Sequence, residues 1–164
     1  MKQLILTLVF ILSLKQGYAQ DCELKKDPIT NDTIISFSKK NVHYECRQKT
    51  TSLDIVFGYK GKYSSIIPKD SQITLKLENN VIILKSIVAD AFPEDFKINN
   101  LNFTNYTLKI NLSREDIERL ASSPVTFIRY PNPEGGSLDL EIKGLAKSTG
   151  KHILVGATCV LEHL

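Results

Sequence analysis

The chain has 164 residues, 42% of them hydrophobic, and carries 21 basic against 18 acidic side chains. That length suffices for one domain with its own apolar core, and the charge is too near balance for the basic footprint that nucleic acid requires. Trp is absent, which counts against a sugar-stacking lectin.

The first residues read as an export signal. Lys2 supplies a positive start, Leu4 to Leu14 form an apolar run too short to span a bilayer, and Gly17 and Ala19 are small residues ahead of an expected cleavage before Gln20. Cleavage of residues 1–19 removes Lys2 and Lys15 but no acid, which leaves 19 basic against 18 acidic side chains, a net charge of +1. Cys22 follows Gln20 and Asp21 rather than the small residue of a lipobox, so lipid anchoring there is not expected. Residues 20–164 are expected to form a single β-rich domain, secreted or periplasmic, with no membrane span once the signal is gone.

The mature chain opens on a polar stretch with turns at Asp27-Pro28 and Asn31-Asp32, then reads as extended from Thr33 to Phe37. Val42, Tyr44 and Cys46 alternate with polar neighbours, as do Leu53, Ile55 and Phe57, the period of half-buried strands. Gly58 to Tyr63 reads as a loop. Ile73, Leu75 and Leu77 give another strand, and Asn79-Asn80 fits a two-residue hairpin turn because Asn tolerates positive φ. The returning segment Val81 to Leu84 is apolar on both faces and is predicted to be central. Residues 89–101 lose periodicity and read as a long connection.

From Leu108 to Tyr130 the pattern is strand, helix, strand. Tyr106, Leu108, Ile110 and Leu112 alternate; Ser113 is a predicted N-cap with Asp116 completing a capping box. Ile117, Leu120 and Ala121 then form one apolar stripe, and Pro124 stops the helix, which is expected over 114–121. After the turn-rich PNPEGG come a strand at Leu138 to Ile142 and an ambiguous tail. Its glycines at 144, 150 and 156 and its β-branched residues favour a closing hairpin over 145–161 rather than a helix. The sum is eight or nine strands with one short helix, an antiparallel β-sandwich or curled sheet.

All three cysteines survive cleavage into an oxidising compartment, so at most one internal bridge forms and one thiol is left over. Cys22–Cys159 is the preferred pair, since it ties the N-terminus to the last predicted element. Cys46–Cys159 is the alternative. His43 and Cys46 with Cys159 and His163 could number four zinc ligands, but residues three apart on a strand face opposite ways, so no metal and no cofactor is expected. Gly135-Gly136-Ser137 lacks the context of a nucleophile or phosphate loop and reads as a turn. Glu94 and Asp95, or Glu115 and Asp116, are adjacent carboxylates without the opposed geometry of acid/base catalysis, and Glu115, Asp116, Glu118 and Arg119 read as the wet face of the helix. No catalytic residue is assigned. Tyr59, Lys60, Lys62 and Tyr63 interleave base and aromatic and are the best exposed candidate for contact with sugar, peptide or protein.

The Gln20 start after Ala19, the segment DPITNDTII and the stretch LSREDIERLASSPVTFIRY resemble small exported β-rich proteins of Bacteroidota of uncharacterised function. The resemblance implies a periplasmic or surface domain and transfers no catalytic residue. The expected function is therefore non-enzymatic binding of a protein or glycan in the cell envelope. The competing expectation is a small secreted hydrolase or hydrolase inhibitor, for which a deep pocket lined by two or more of His43, His152, Glu94 and Asp95 would speak.

Overall fold

The computed structural model describes residues 22–164; the export segment expected over 1–19 lies outside the described residues. Among the described residues ten strands and two helices follow one another: β1 (Cys22–Lys26), β2 (Thr33–Lys39), β3 (Val42–Arg47), β4 (Thr50–Lys60), β5 (Gln72–Leu77), β6 (Ile82–Ser86), β7 (Glu94–Ile98), β8 (Leu101–Leu112), α1 (Arg114–Ser122), β9 (Val125–Pro131), β10 (Ser137–Glu141) and α2 (Lys147–Leu161). All pairings are antiparallel. One sheet has the order β1-β2-β3-β4-β8-β7 and the other β10-β9-β5-β6. Just past β6, Ile87 bridges to Ile110 of β8 and the Val88 amide donates to the Lys109 carbonyl. The two sheets meet there and do not close into a barrel.

Period two decides which side chains go inside. Phe37, Tyr44, Leu53, Ile55, Tyr106, Leu108 and Ile110 of the large sheet meet Ile73, Leu75 and Ile128 of the small one in a single buried core. α1 forms where the capping signal places it: Ser113 Oγ accepts from the Asp116 amide, and the Asp116 carboxylate accepts from the Ser113 amide. Ile117 and Leu120 are buried against β8 and α2. Asp116 departs from the expected wet face. It is buried and forms an ion pair with Lys85, which reaches inward from β6.

Four expectations are corrected. The strands number ten rather than eight or nine, because β1 pairs with β2 and because the expected connection at 89–101 contains β7. Asn99 and Asn100 both adopt positive φ, 49° and 63°, the requirement of a two-residue hairpin turn, so β7 folds back on β8. β6 is an edge strand, not a central one. The tail over 145–161 is a helix, not a hairpin: α2 spans Lys147–Leu161 and packs on the inner side of β2 and β3. Its glycines are there for contact. A Cβ on Gly156 would lie 2.4 Å from the Tyr44 ring, and one on Gly150 would lie 2.5 Å from the Val125 carbonyl oxygen. The helix thus sits closer to the sheet than any side chain would permit, and the burial this allows outweighs the local glycine penalty of about 1 kcal/mol each.

Cys22 and Cys159 are bonded, with Cα atoms 5.7 Å apart, joining β1 to α2 across 137 residues. Cys46 stays a buried free thiol on β3, so the Cys46–Cys159 alternative is excluded.

Candidate contact surfaces

The four residues Tyr59, Lys60, Lys62 and Tyr63 split into an inner and an outer pair. β4 runs on through Lys60, so the loop expected from Gly58 begins only at Gly61. Alternation turns Tyr59 inward to 5% exposure. Its ring lies 5.3 Å from Tyr106, 5.7 Å from Tyr63 and 5.9 Å from Tyr130, and its hydroxyl donates to the Pro131 carbonyl at 2.8 Å. Burial, with the neighbouring tyrosines, raises the Tyr59 phenol well above its ordinary range. Tyr59 is therefore core, and Tyr63 half-buries itself against it. Only Lys60 and Lys62 face solvent.

Next to those lysines the structure places aromatics from a segment without evident strand periodicity. On the β7–β8 hairpin Phe96 pairs with Phe103 and Ile98 with Leu101, so all four side chains share the outward face. The two rings stack with centroids 5.5 Å apart, while Ile98 and Leu101 are each 52% exposed. Lys60 sits directly opposite Phe103 on β4, and the Gly61 amide donates to the Asn102 carbonyl, which places Lys62 beside the hairpin end. The signal was present in FKINNLNF, apolar alternation reflected about two asparagines, the same pattern that identified the Asn79-Asn80 turn.

A second apolar face lies on the outer side of the small sheet. Ile82 and Leu84 of β6 are 60% and 55% exposed. Across the sheet the register sets Ile82 beside Lys76, Phe127 and Glu141, and Leu84 beside Thr74, Arg129 and Asp139. Lys76, Thr126, Phe127 and Glu141 line an open groove of about 360 Å³. Arg129 grips Asp139 through two hydrogen bonds of 2.7 and 2.9 Å, which lower the Asp139 carboxyl below the usual carboxylate range.

The residues proposed to discriminate an enzyme do not converge. His43 lies on the outer face of the large sheet, Glu94 and Asp95 lie on its edge strand β7, and His152 lies on α2. Asp95 accepts from the Thr104 hydroxyl at 2.6 Å. The register does place Ser38, His43, Asp54 and Lys109 in one row across β2, β3, β4 and β8. Burial raises the Asp54 carboxyl, while Lys109, 3.5 Å away, and His43 oppose the rise.

The supposed zinc ligands are otherwise engaged: Cys159 is in the disulfide, Cys46 is in the core, and His163 Nδ1 lies 2.8 Å from the Cys159 carbonyl. Among the described residues no group of three or more His, Cys, Asp or Glu side chains is placed to hold a metal ion, and no helix is long and apolar enough to cross a membrane. Comparison with family models, curated proteins and solved structures finds no match to this chain.

Proposed function

We propose that the protein is an exported, non-enzymatic binding domain of the cell envelope, and that it holds a protein partner on the outer face of its small sheet. The observation that carries this is β6. It is apolar on both faces, as a central strand would be, yet it lies at a sheet edge with Ile82 and Leu84 in solvent. The one charged side chain of β6, Lys85, turns inward to Asp116, so no charge of this strand stands beside Ile82 and Leu84 on the outward face. With the two sheets packed in a sandwich-like arrangement, an extended partner segment added along β6 would cover Ile82 and Leu84 and bury part of the groove beside Phe127. Strand addition of this kind draws affinity from the backbone and specificity from alternate side chains. A hydrolase inhibitor would be one form of such a domain. Glycan binding has less support, since Tyr59 and Tyr63 turn inward.

Affinity capture from an envelope extract, followed by hydrogen exchange on the purified complex, tests the assignment. The complex should protect the β6 amides, and Ile82→Asp with Leu84→Asp should abolish capture without lowering the melting temperature. Undiminished capture by that double variant would sink it. The hydrolase alternative rests on the row Ser38, His43, Asp54. Ester hydrolysis that disappears in Ser38→Ala would favour it over binding.

A further inference from the structure

We propose that the β7–β8 hairpin, with Lys60 and Lys62, forms a second and separate docking surface whose partner is an anionic lipid surface. The hairpin presents Phe96, Ile98, Leu101 and Phe103 on one face. Three exposed lysines lie around them: Lys60 opposite Phe103 on the same face, Lys62 past Gly61, and Lys97, which alternates with its partner Asn102 to the other face of the hairpin. None of the three is in an ion pair among the described residues. By contrast, Lys109 is paired with Asp54, Arg129 with Asp139 and Lys143 with Glu141. Two acids precede Phe96 on β7: Glu94 is exposed on the same outward face, farther from the turn, and Asp95 is on the other face, where it accepts from the Thr104 hydroxyl. This end of the sheet therefore combines an apolar face with unneutralised positive charge.

That combination complements anionic headgroups over acyl chains. Apolar side chains enter the headgroup boundary while flanking lysines stay at phosphate level, their stems lying along the apolar surface. The shape also favours a lipid interface. The hairpin end is only two strands wide, so a protein would need a groove to enclose it, whereas a lipid surface yields around it. Asn99 and Asn100 at the turn are polar, so the hairpin lies on its outward face with Ile98 and Leu101 penetrating shallowly. Each lysine near an anionic surface contributes about a fivefold gain in partitioning.

The test is flotation of the purified chain with vesicles of phosphatidylcholine alone and with increasing phosphatidylglycerol. Binding should rise with the phosphatidylglycerol fraction and fall at high salt, because the Debye length shrinks to about 3 Å at 1 M. Lys60→Glu with Lys62→Glu should cut binding more than tenfold, as should Ile98→Asp with Leu101→Asp, and thermal melts should show that both variants remain folded. Equal binding of parent and variants, or no binding to anionic vesicles, would overturn the proposal. So would variants that float normally but lose a captured protein, since the surface would then be a protein's. Because these substitutions leave β6 untouched, failure here and failure of the β6 assignment are distinguishable.

Discussion

The two helices are held by opposite means. α1 carries its instructions in its own sequence: a capping box from Ser113 and Asp116, acids in the first turn, and one apolar stripe ending in Leu120. α2 has no side-chain N-cap and no acid in its first turn, and its sequence includes Gly150 and Gly156. It is fastened by the bond to Cys22, by the Tyr44 hydroxyl donating to the Ile153 carbonyl at 3.0 Å, and by glycine-mediated contact with Tyr44 and Phe37. A helix can thus be written locally or imposed by what it touches. Both lie in one packed layer, since α1 and α2 are in contact.

The largest effect should come from cutting the external fastening of α2. Cys22→Ser with Cys159→Ser should lower stability by about 2–5 kcal/mol, read from denaturant melts. A loss under 1 kcal/mol would mean that packing alone holds the helix. Leu120→Ala is the matching lesion in α1 and should cost about 2–5 kcal/mol, because Leu120 is fully buried. Unchanged melting midpoints would show that α1 is not docked as described.

Gly156→Ala sharpens the contrast through its sign. Local propensity says that Ala should stabilise a helix by about 1 kcal/mol over Gly. The Cβ, however, would meet the Tyr44 and Phe37 rings at 2.4 and 2.7 Å, and overpacking costs about 1–3 kcal/mol. Destabilisation is expected, and a higher melting temperature would contradict the close packing of α2.

A smaller effect should appear in the pH dependence of the α1 cap. Burial pushes the Asp116 carboxyl up, but the Lys85 bond and those from Ser113 outweigh it, so its folded pKa lies below the ordinary value. A carboxyl lowered in the folded state contributes stability above its unfolded pKa, and that contribution is lost as pH falls through the folded value. The stability gap between the parent and Asp116→Asn should therefore be full at pH 7 and shrink below about pH 4. A gap independent of pH would mean that the ion pair is immaterial. Least of all, Arg119→Ala should change stability by no more than about 0.5 kcal/mol, since Arg119 pairs only with Glu115 in solvent.

The candidate surfaces show how far residue patterns reach. Tyr59 was legible as part of an aromatic-basic string, but not as core, because only the extension of β4 to Lys60 fixes which side it faces. Phe96 and Phe103 were legible in principle, since the apolar alternation reflects about Asn99-Asn100. The two-faced apolarity of β6 is legible in the sequence. What it signifies is not, since strand order is set by which distant strands pair, and no local pattern carries that.

By itself the sequence determined what depends on neighbours along the chain. The alternating strands, the Asn79-Asn80 turn and the capped helix at Ser113 all follow from side-chain direction, turn dihedrals and hydrogen bonds closed within a few residues. Cys22–Cys159 was reached as a preference among pairings, and the 5.7 Å separation of their Cα atoms decided it. Only the tertiary structure decided the helical state of residues 147–161, the edge position of β6 and the union of Lys60 with the β7–β8 hairpin. Each of these depends on surfaces brought together from far apart in the chain, where the burial gained in contact outweighs what the local residues prefer.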